Sequence, residues 1–207
     1  FNGEWDKVHV VETFRPEHAA MEQHSVAELA GVQGRDALDL MLDLALAEDL
    51  QTVFTAQLLN SDDEAVGRML NHPNSIVSLS DAGAHLTFFN DAGFGLHLLG
   101  HWARDLRSMS LADAVRRLTA QPASVLGIRD RGLIREGLAA DLLLFDPATV
   151  GRGPKRRVFD LPGGAARLTT DAIGVHGVWV NGQKVADGQG LLANTPLAGS
   201  LLTEFAS

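Results

Sequence analysis

The chain of 207 residues contains no cysteine. This absence excludes disulfides, thiolate metal ligands and a cysteine nucleophile within these residues. A chain of this length can bury a sizeable core without cross-links, so the missing cysteines cost it no stability. Its composition, 45% hydrophobic and 21% charged, is that of one ordinary globular chain or of two small domains.

Positive charge is also scarce, because 17 Lys and Arg face 26 Asp and Glu and leave a formal charge of -9. This balance argues against sequence-independent binding to nucleic acids or anionic membranes, which requires neutralisation of phosphate. No apolar run approaches the roughly 20 residues that span a bilayer, and no charged and then apolar leader precedes a cleavage site. We therefore expect a cytoplasmic protein with small-molecule or protein partners.

Several common catalytic motifs are missing as well. The chain has no Gly-x-Gly-x-x-Gly after a strand, no Walker loop and no Gly-x-Ser-x-Gly elbow. Nucleotide binding and serine-esterase chemistry therefore have no support. The sequence also opens with Phe1 rather than methionine, in a stretch typical of the middle of a protein, which predicts a fragment.

The first 80 residues alternate between strand-like and helix-like patterns. Strands are expected at 5–11, 52–58 and 75–80, and helices at 25–31, 35–49 and 61–70. A capping box, Ser25 to Glu28, opens the first helix, and Gly31 is placed to end it. Strands that alternate with helices predict parallel strands with helices on their faces, the pattern of the α/β class.

The pattern changes after Gly127. Helices at 92–106 and 111–119 are followed by short strand-like pieces separated by glycine, proline and basic turns. Val178 to Val185 predicts a hairpin, because Asn181-Gly182 supplies the two positive φ angles that a type I′ turn requires. We predict two domains, an α/β region over residues 1–130 and a β region over residues 131–207.

Asp81 follows a predicted buried strand, and His85 belongs to the same loop. In parallel α/β folds, active sites form at the carboxyl ends of strands, which makes Asp81 a candidate catalytic group and His85 a candidate for substrate binding. The alternative is ordinary turn chemistry, which Asp-Ala-Gly also provides. Asp91-Ala92-Gly93 repeats this pattern a few residues later.

Two further groups of residues carry weaker signals. His97 and His101 stand four apart on a predicted helix and could face one metal ion, although a solvated helix face is favoured. A basic loop, formed by Arg152, Lys155, Arg156 and Arg157, is more often a solvated surface patch than a phosphate site.

Taken in order, several segments resemble the C-terminal part of an amidohydrolase-superfamily enzyme, in the N-acyl-D-amino-acid deacylase (D-aminoacylase) branch. They are Ser80 to His85, Leu111 to Ala123, Arg129 to Ile134, Gly137 to Pro147 and Gly177 to Gly182. The alanine-aspartate strand and the hairpin recur throughout the superfamily. The Ser-Asp-Ala-Gly-Ala-His loop and the Arg-Asp-Arg-Gly segment point more narrowly to the deacylases.

The resemblance implies a metal-dependent (β/α)8 barrel joined to a small β-sandwich domain. Asp81 matches the aspartate that ends the last barrel strand, touches the metal and handles the proton. A lone carboxylate cannot hold a catalytic zinc, which takes about three protein ligands, so the metal would be held mainly by residues upstream of this chain. The fragment alone is therefore expected to be inactive, and its exposed strand edges should associate with the upstream part or with a second copy.

Two other functions remain open. A cyclic amidohydrolase, such as a hydantoinase or a dihydroorotase, shares the barrel, the aspartate and the C-terminal strands. A chain that completes a partner's sheet without catalysis is the third alternative. An N-acylated amino acid is also an anion that needs a cation, and no Arg or Lys lies between Asp81 and His101.

Overall fold

The computed structural model describes residues 3–57, 59–78, 80–87, 90–195, 197–203 and 205. They form a mixture of helices and strands. The chain divides into two compact units, one that ends at Val66 and one that begins at Gly67. Among the described residues, no helix is both long and apolar enough to cross a bilayer.

The unit up to Val66 is built around a small apolar core. Its elements are a 3-10 turn (Trp5–Lys7), β1 (Val8–Glu12), a 3-10 helix (Pro16–Met21), α1 (Val26–Gln33), α2 (Ala37–Ala47), β2 (Val53–Ala56) and the start of α3 (Asp63–Asn71). The core consists of Val8, Val26, Ala30 and Leu40, with Phe54 packed against it. Burial of these side chains therefore brings α1 and α2 onto the strand pair.

The capping box of α1 is confirmed. The Glu28 N–H donates to the Ser25 hydroxyl over 3.1 Å, and the Ser25 N–H donates to the Glu28 carboxylate over 2.9 Å. The predicted end at Gly31 is wrong, because the helix continues to Gly34, which caps it at φ 62°. A glycine inside a helix is tolerated, whereas the left-handed cap conformation favours glycine strongly.

The prediction of parallel strands is wrong for β1 and β2. They pair antiparallel, with Val8 opposite Ala56 and Val10 opposite Phe54, and a register shift precedes Glu12. Every strand pair that the described residues form is antiparallel. Alternation of helices and strands along a sequence does not fix strand direction, because pairing depends on which backbone edges meet in space.

The strand expected at 75–80 is also not found in the described part of this segment. Residues 75–78 and 80 have no regular secondary structure, and Leu79 lies outside the described residues. The segment is apolar enough to suit a strand, but a strand forms only where a neighbouring strand satisfies its backbone groups. Asp81 therefore follows a segment whose described residues have no regular secondary structure.

The unit from Gly67 onward contains helices first and strands afterwards. The helices are α4 (Phe94–His97), which continues as a π-helix (Leu98–Asp105), then α5 (Leu111–Leu118) and α6 (Ala120–Val125). The strands are β3 (Leu142–Phe145), β4 (Gly151–Arg152), β5 (Arg156–Val158), β6 (Arg167–Thr169), β7 (Ala172–Ile173), β8 (Val175–Val180), β9 (Gln183–Asp187) and β10 (Gly190–Leu191). A 3-10 turn (Pro162–Gly164) lies between β5 and β6.

The largest sheet of this unit has the order β10-β9-β8-β3. The predicted hairpin is confirmed, because β8 and β9 pair antiparallel around Asn181 at φ 46° and Gly182 at φ 79°. Those two positive angles define the type I′ turn, whose twist matches that of the strands beside it. No strand forms at Leu133-Ile134, where one was expected.

Candidate functional site

Asp81 lies in a tight turn on the protein surface. Its backbone adopts the left-handed region at φ 54°, and Gly83 follows at φ 96°. The Ala84 N–H closes the turn by donating to the Asp81 carbonyl over 3.0 Å. The Asp81 carboxylate is exposed and makes no hydrogen bond or ion pair with another described residue. It is therefore accessible to a ligand or to another part of a protein.

His85 lies in the same exposed loop, four residues after Asp81. Its backbone is also left-handed, at φ 49°. The structure thus places both predicted site residues on one surface loop. Two left-handed non-glycine residues within five positions require support from the surroundings, because each such conformation is strained.

The C-terminal end of this loop is anchored on the β5–β6 pair. The Leu168 N–H donates to the Leu86 carbonyl over 2.8 Å, and Arg157 Nη1 donates to the Thr87 carbonyl over 2.9 Å. Leu168 lies in β6 and Arg157 in β5, so two neighbouring strands hold two successive carbonyls. The β-rich part of this unit therefore helps to fix the loop that carries Asp81.

The basic loop has mainly a structural role in the described contacts. Arg156 forms a two-pronged ion pair with Asp171, at 2.9 and 3.2 Å, which raises the pKa of the guanidinium and lowers that of the carboxyl group. Arg152 approaches Asp91 to 3.9 Å. Both arginines thus meet carboxylates of the chain itself.

The Arg-Asp-Arg-Gly segment joins two parts of the β region. Arg131 donates to both carboxylate oxygens of Asp130 and, through Nη1, to Asp141 over 2.6 Å. These bonds raise the pKa of Arg131, with the bond to Asp130 as the largest cause. Asp141 in turn accepts the Asn181 N–H over 2.7 Å. The motif thus connects its own loop, the start of β3 and the hairpin turn, and its role in the structure is architectural.

His97 and His101 stack face to face. Their ring centroids are 4.7 Å apart with an interplanar angle of 11°, and the edge of Trp102 packs against His101 at 5.3 Å. Both imidazoles are half-buried, so the prediction of a solvated helix face holds for them only in part. His101 and Trp102 belong to the π-helix, a widened turn that is frequent at functional sites.

The described residues do not by themselves form a zinc site. No group of three or more His, Cys, Asp or Glu side chains converges among them. A zinc ion in a catalytic site takes three protein ligands and keeps a fourth position for water. Asp81 could supply one carboxylate ligand, and the remaining ligands would have to come from outside the described residues.

A second carboxylate, Glu48, occupies the opposite environment in the unit up to Val66. Its side chain is fully buried, with 0% exposure. It accepts hydrogen bonds from the Phe14 N–H, from the Arg15 N–H at 3.1 and 3.2 Å, and from His18 Nδ1 at 2.5 Å. Sequence reasoning missed this cluster, because Glu48 and His18 are 30 positions apart and no local pattern joins them.

The surroundings of Glu48 act on its pKa in two directions. Burial raises the pKa, but the hydrogen bonds from His18, Phe14 and Arg15 lower it, and the net result is a pKa below the ordinary value. A carboxylate that accepts several N–H groups is stabilised in its charged form. Glu48 is therefore an ionised clamp that holds the segment from Phe14 to His18 against the end of α2.

Comparison with known proteins identifies the family. A model described as "Amidohydrolase family" matches residues 2–186. An N-acyl-D-aspartate deacylase of Alcaligenes xylosoxydans xylosoxydans is 31% identical over 171 residues, which cover 79% of this chain and 32% of the relative. A D-aminoacylase of the same organism is 41% identical over 88 residues, 42% of this chain and 16% of the relative.

Solved structures add a weaker likeness. A crystal structure of an N-acyl-D-glutamate deacylase from Bordetella bronchiseptica, complexed with zinc and a phosphonate inhibitor, is 29% identical. The match covers 95% of this chain and 36% of the deacylase chain. Its TM-score of 0.49 is too low to support an argument about the fold. The chain spans about a third of the length of the N-acyl-D-aspartate deacylase that it matches.

Proposed function

The chain belongs to the amidohydrolase family, and from this membership we propose that it is part of a metal-dependent deacylase that hydrolyses the amide bond of N-acyl-D-amino acids. The two relatives described above are an N-acyl-D-aspartate deacylase and a D-aminoacylase by name, and the Ser-Asp-Ala-Gly-Ala-His loop points to the same branch. The proposed architecture is a (β/α)8 barrel to which residues 1–130 contribute the last part, followed by a small β domain over residues 131–207.

Asp81 is the residue to which we assign proton transfer. The observation that carries the assignment is its carboxylate, which is exposed and unpaired with other described residues in the loop that bears the motif. During attack on the amide, one carboxylate oxygen of Asp81 accepts the proton of the water. When the tetrahedral intermediate collapses, the same group returns the proton to the departing nitrogen, without which amide cleavage stalls.

Zinc belongs to the proposal for the complete protein and not to the described residues alone, which lack a set of three ligands. A bound zinc would lower the pKa of a water molecule to about 7 and polarise the substrate carbonyl. We assign its ligands mainly to residues upstream of this chain, with Asp81 as one contact. The fragment on its own is accordingly expected to be inactive.

His85 is the proposed substrate contact of this loop, because it is exposed beside Asp81. The substrate is a small molecule, and the remaining partners that we expect are the upstream part of the protein or a second copy. Nucleic acids and membranes are not expected partners, given the formal charge of -9. A cytoplasmic location stays a prediction.

The experiment that tests this function is the Asp81→Asn substitution in the full-length protein, assayed on N-acetyl-D-amino acids and, in parallel, on cyclic amides. Loss of the proton carrier should reduce turnover by about 10²- to 10⁴-fold on the linear amide. Asp91→Asn is the matched control, because Asp91 begins the second Asp-Ala-Gly turn, and this variant should keep its activity. Retention of more than about a tenth of the activity by Asp81→Asn contradicts the assigned role, and turnover of cyclic amides alone contradicts the substrate class.

A further inference from the structure

The start of the Asp81 loop is held by a buried cation. Arg117 in α5 is only 4% exposed. Its Nη1 donates to the Ser75 carbonyl over 3.3 Å, and its Nη2 reaches the His72 carbonyl at 3.5 Å. Gln121 in α6 adds a third contact, because its Nε2 donates to the Ser75 carbonyl over 2.9 Å. Two helices thus contact the backbone at His72 and Ser75, a few residues before Asp81.

This cation has no carboxylate partner among the described residues, which is unusual because a buried charge normally requires a counter-ion. The C-terminal end of α3 provides a substitute. The two acceptors of Arg117, the carbonyls of His72 and Ser75, follow the last residue of α3, and the partial negative charge at the C-terminal end of a helix favours a cation nearby. The Ser75 hydroxyl also donates to the Met69 carbonyl over 2.7 Å and to the His72 carbonyl over 2.9 Å, which tightens the same turn.

The cost of this arrangement is visible in two unsatisfied atoms. Arg117 Nε and Gln121 Oε1 are buried without a hydrogen-bond partner among the described residues. A buried polar atom without a partner destabilises the folded state. An apolar residue at position 117 would remove the unsatisfied Nε, but it would also lose both bonds to the carbonyls of His72 and Ser75.

The backbone that follows Ser75 shows why the contact between Arg117 and the Ser75 carbonyl matters for the loop. Residues 76–78 and 80 make no backbone hydrogen bond to other described residues. The described contacts hold the Asp81 loop at Ser75, through Arg117 and Gln121, and at Leu86 and Thr87, through β6 and β5. Asp81 lies between these two points of contact.

We propose that Arg117, assisted by Gln121, is a positioning residue that sets the place of Asp81 through the Ser75 carbonyl. The inference rests on the proposed role of Asp81 in proton transfer. A displacement of about 1 Å of a catalytic group reduces the rate by on the order of 10²-fold. Loss of the Arg117 contacts should therefore lower kcat, while KM changes little because Arg117 is too deeply buried to touch the substrate.

The test compares Arg117→Met with Arg116→Met in the full-length protein. Arg116 is the neighbour in α5, but it is exposed and pairs with Asp113, at 3.7 Å, in the part of the chain that the structure describes. We expect Arg117→Met to lower kcat by roughly 10- to 100-fold, Arg117→Lys to restore part of it, and Arg116→Met to have no effect. The decisive measurement is the kcat of the double variant that carries both Arg117→Met and Asp81→Asn. It is assayed at an enzyme concentration that gives a measurable residual rate.

If Arg117 acts through Asp81, its substitution should cause no further loss in the Asp81→Asn background, because residues that act as a unit are not additive. An equal loss in both backgrounds overturns the inference, and so does an unchanged kcat. If Arg117→Met does not fold, Gln121→Leu replaces it, because this substitution removes one donor to the same Ser75 carbonyl. An equal loss of kcat in both backgrounds, or an unchanged kcat, again overturns the inference. An active Asp81→Asn variant instead overturns the proposed function, so the two failures are distinguishable.

Discussion

Glu48 and Asp81 are two carboxylates of one chain that lie in opposite environments. Glu48 is fully buried and accepts hydrogen bonds from two backbone N–H groups and one imidazole. Asp81 is exposed and has no such donor among the described residues. A carboxylate whose oxygens are already satisfied cannot accept another proton or ligand without loss of those bonds. The comparison therefore separates a structural acid from one that is available for chemistry.

The position of Glu48 makes its donors essential. It is the C-cap residue of α2, where the negative end of the helix dipole disfavours an acid. Burial adds a second penalty for the charged form. The donors from the segment between Phe14 and His18 offset both effects, so that segment and the end of α2 stabilise each other.

The largest effect on folding is expected from Glu48→Gln. The neutral amide offers one oxygen in place of two charged ones and places an NH₂ group among donors, so several buried groups lose their partner. The variant should unfold at a lower temperature, and the Phe14 and Arg15 amides should lose their protection from hydrogen exchange. Asp49→Asn, which alters the exposed ion pair of Arg15 at 3.1 Å, is the control. Unchanged protection at both amides would show that Glu48 is not a clamp.

The contribution of Glu48 should also depend on pH. Its pKa in the folded state lies below the ordinary value of 4.5, so between these two values the unfolded chain binds more protons and stability rises with pH. The stabilisation is fully present above the unfolded pKa and is lost as the pH falls through the folded pKa. We expect the difference in unfolding free energy between the wild type and Glu48→Gln to shrink as pH falls below about 4.5.

Chemical denaturation of both proteins at several pH values between about 7 and 3 measures this difference. Other titrating acids are common to both proteins and cancel to first order. A difference that stays constant over this range, or that grows towards low pH, would contradict a lowered pKa at Glu48.

The features that could be predicted from sequence are those that depend on neighbours in the chain. The Ser25 to Glu28 capping box and the Asn181-Gly182 turn were predicted correctly, because the interacting groups lie within three residues of one another. The loop shared by Asp81 and His85 was predicted for the same reason. Local chemistry therefore locates the candidate site on a loop.

The features that could not be predicted depend on contacts between distant residues. The predicted direction of the β1–β2 pair is wrong, because it depends on contacts between backbone edges that are more than 40 positions apart. The bonds from Arg117 to the carbonyls of His72 and Ser75 join residues that are 45 and 42 positions apart. Because the acceptors are backbone carbonyls, which every residue has, the sequence does not indicate which of them a side chain will contact.

The smallest effect on folding is expected from Asp81→Asn, the substitution for which the largest loss of activity is expected. Surface substitutions without buried partners usually change stability by less than about 0.5 kcal/mol. Asparagine also accepts the left-handed backbone of this position, at φ 54°, without added strain. Thermal and chemical unfolding of the full-length variant, measured without metal, should therefore match those of the metal-free wild type, while turnover of the metal-loaded variant is lost. A loss of stability above about 1 kcal/mol in the metal-free protein would mean that the Asp81 carboxylate is paired with another residue, as the Glu48 carboxylate is, and would contradict the distinction between the two acids.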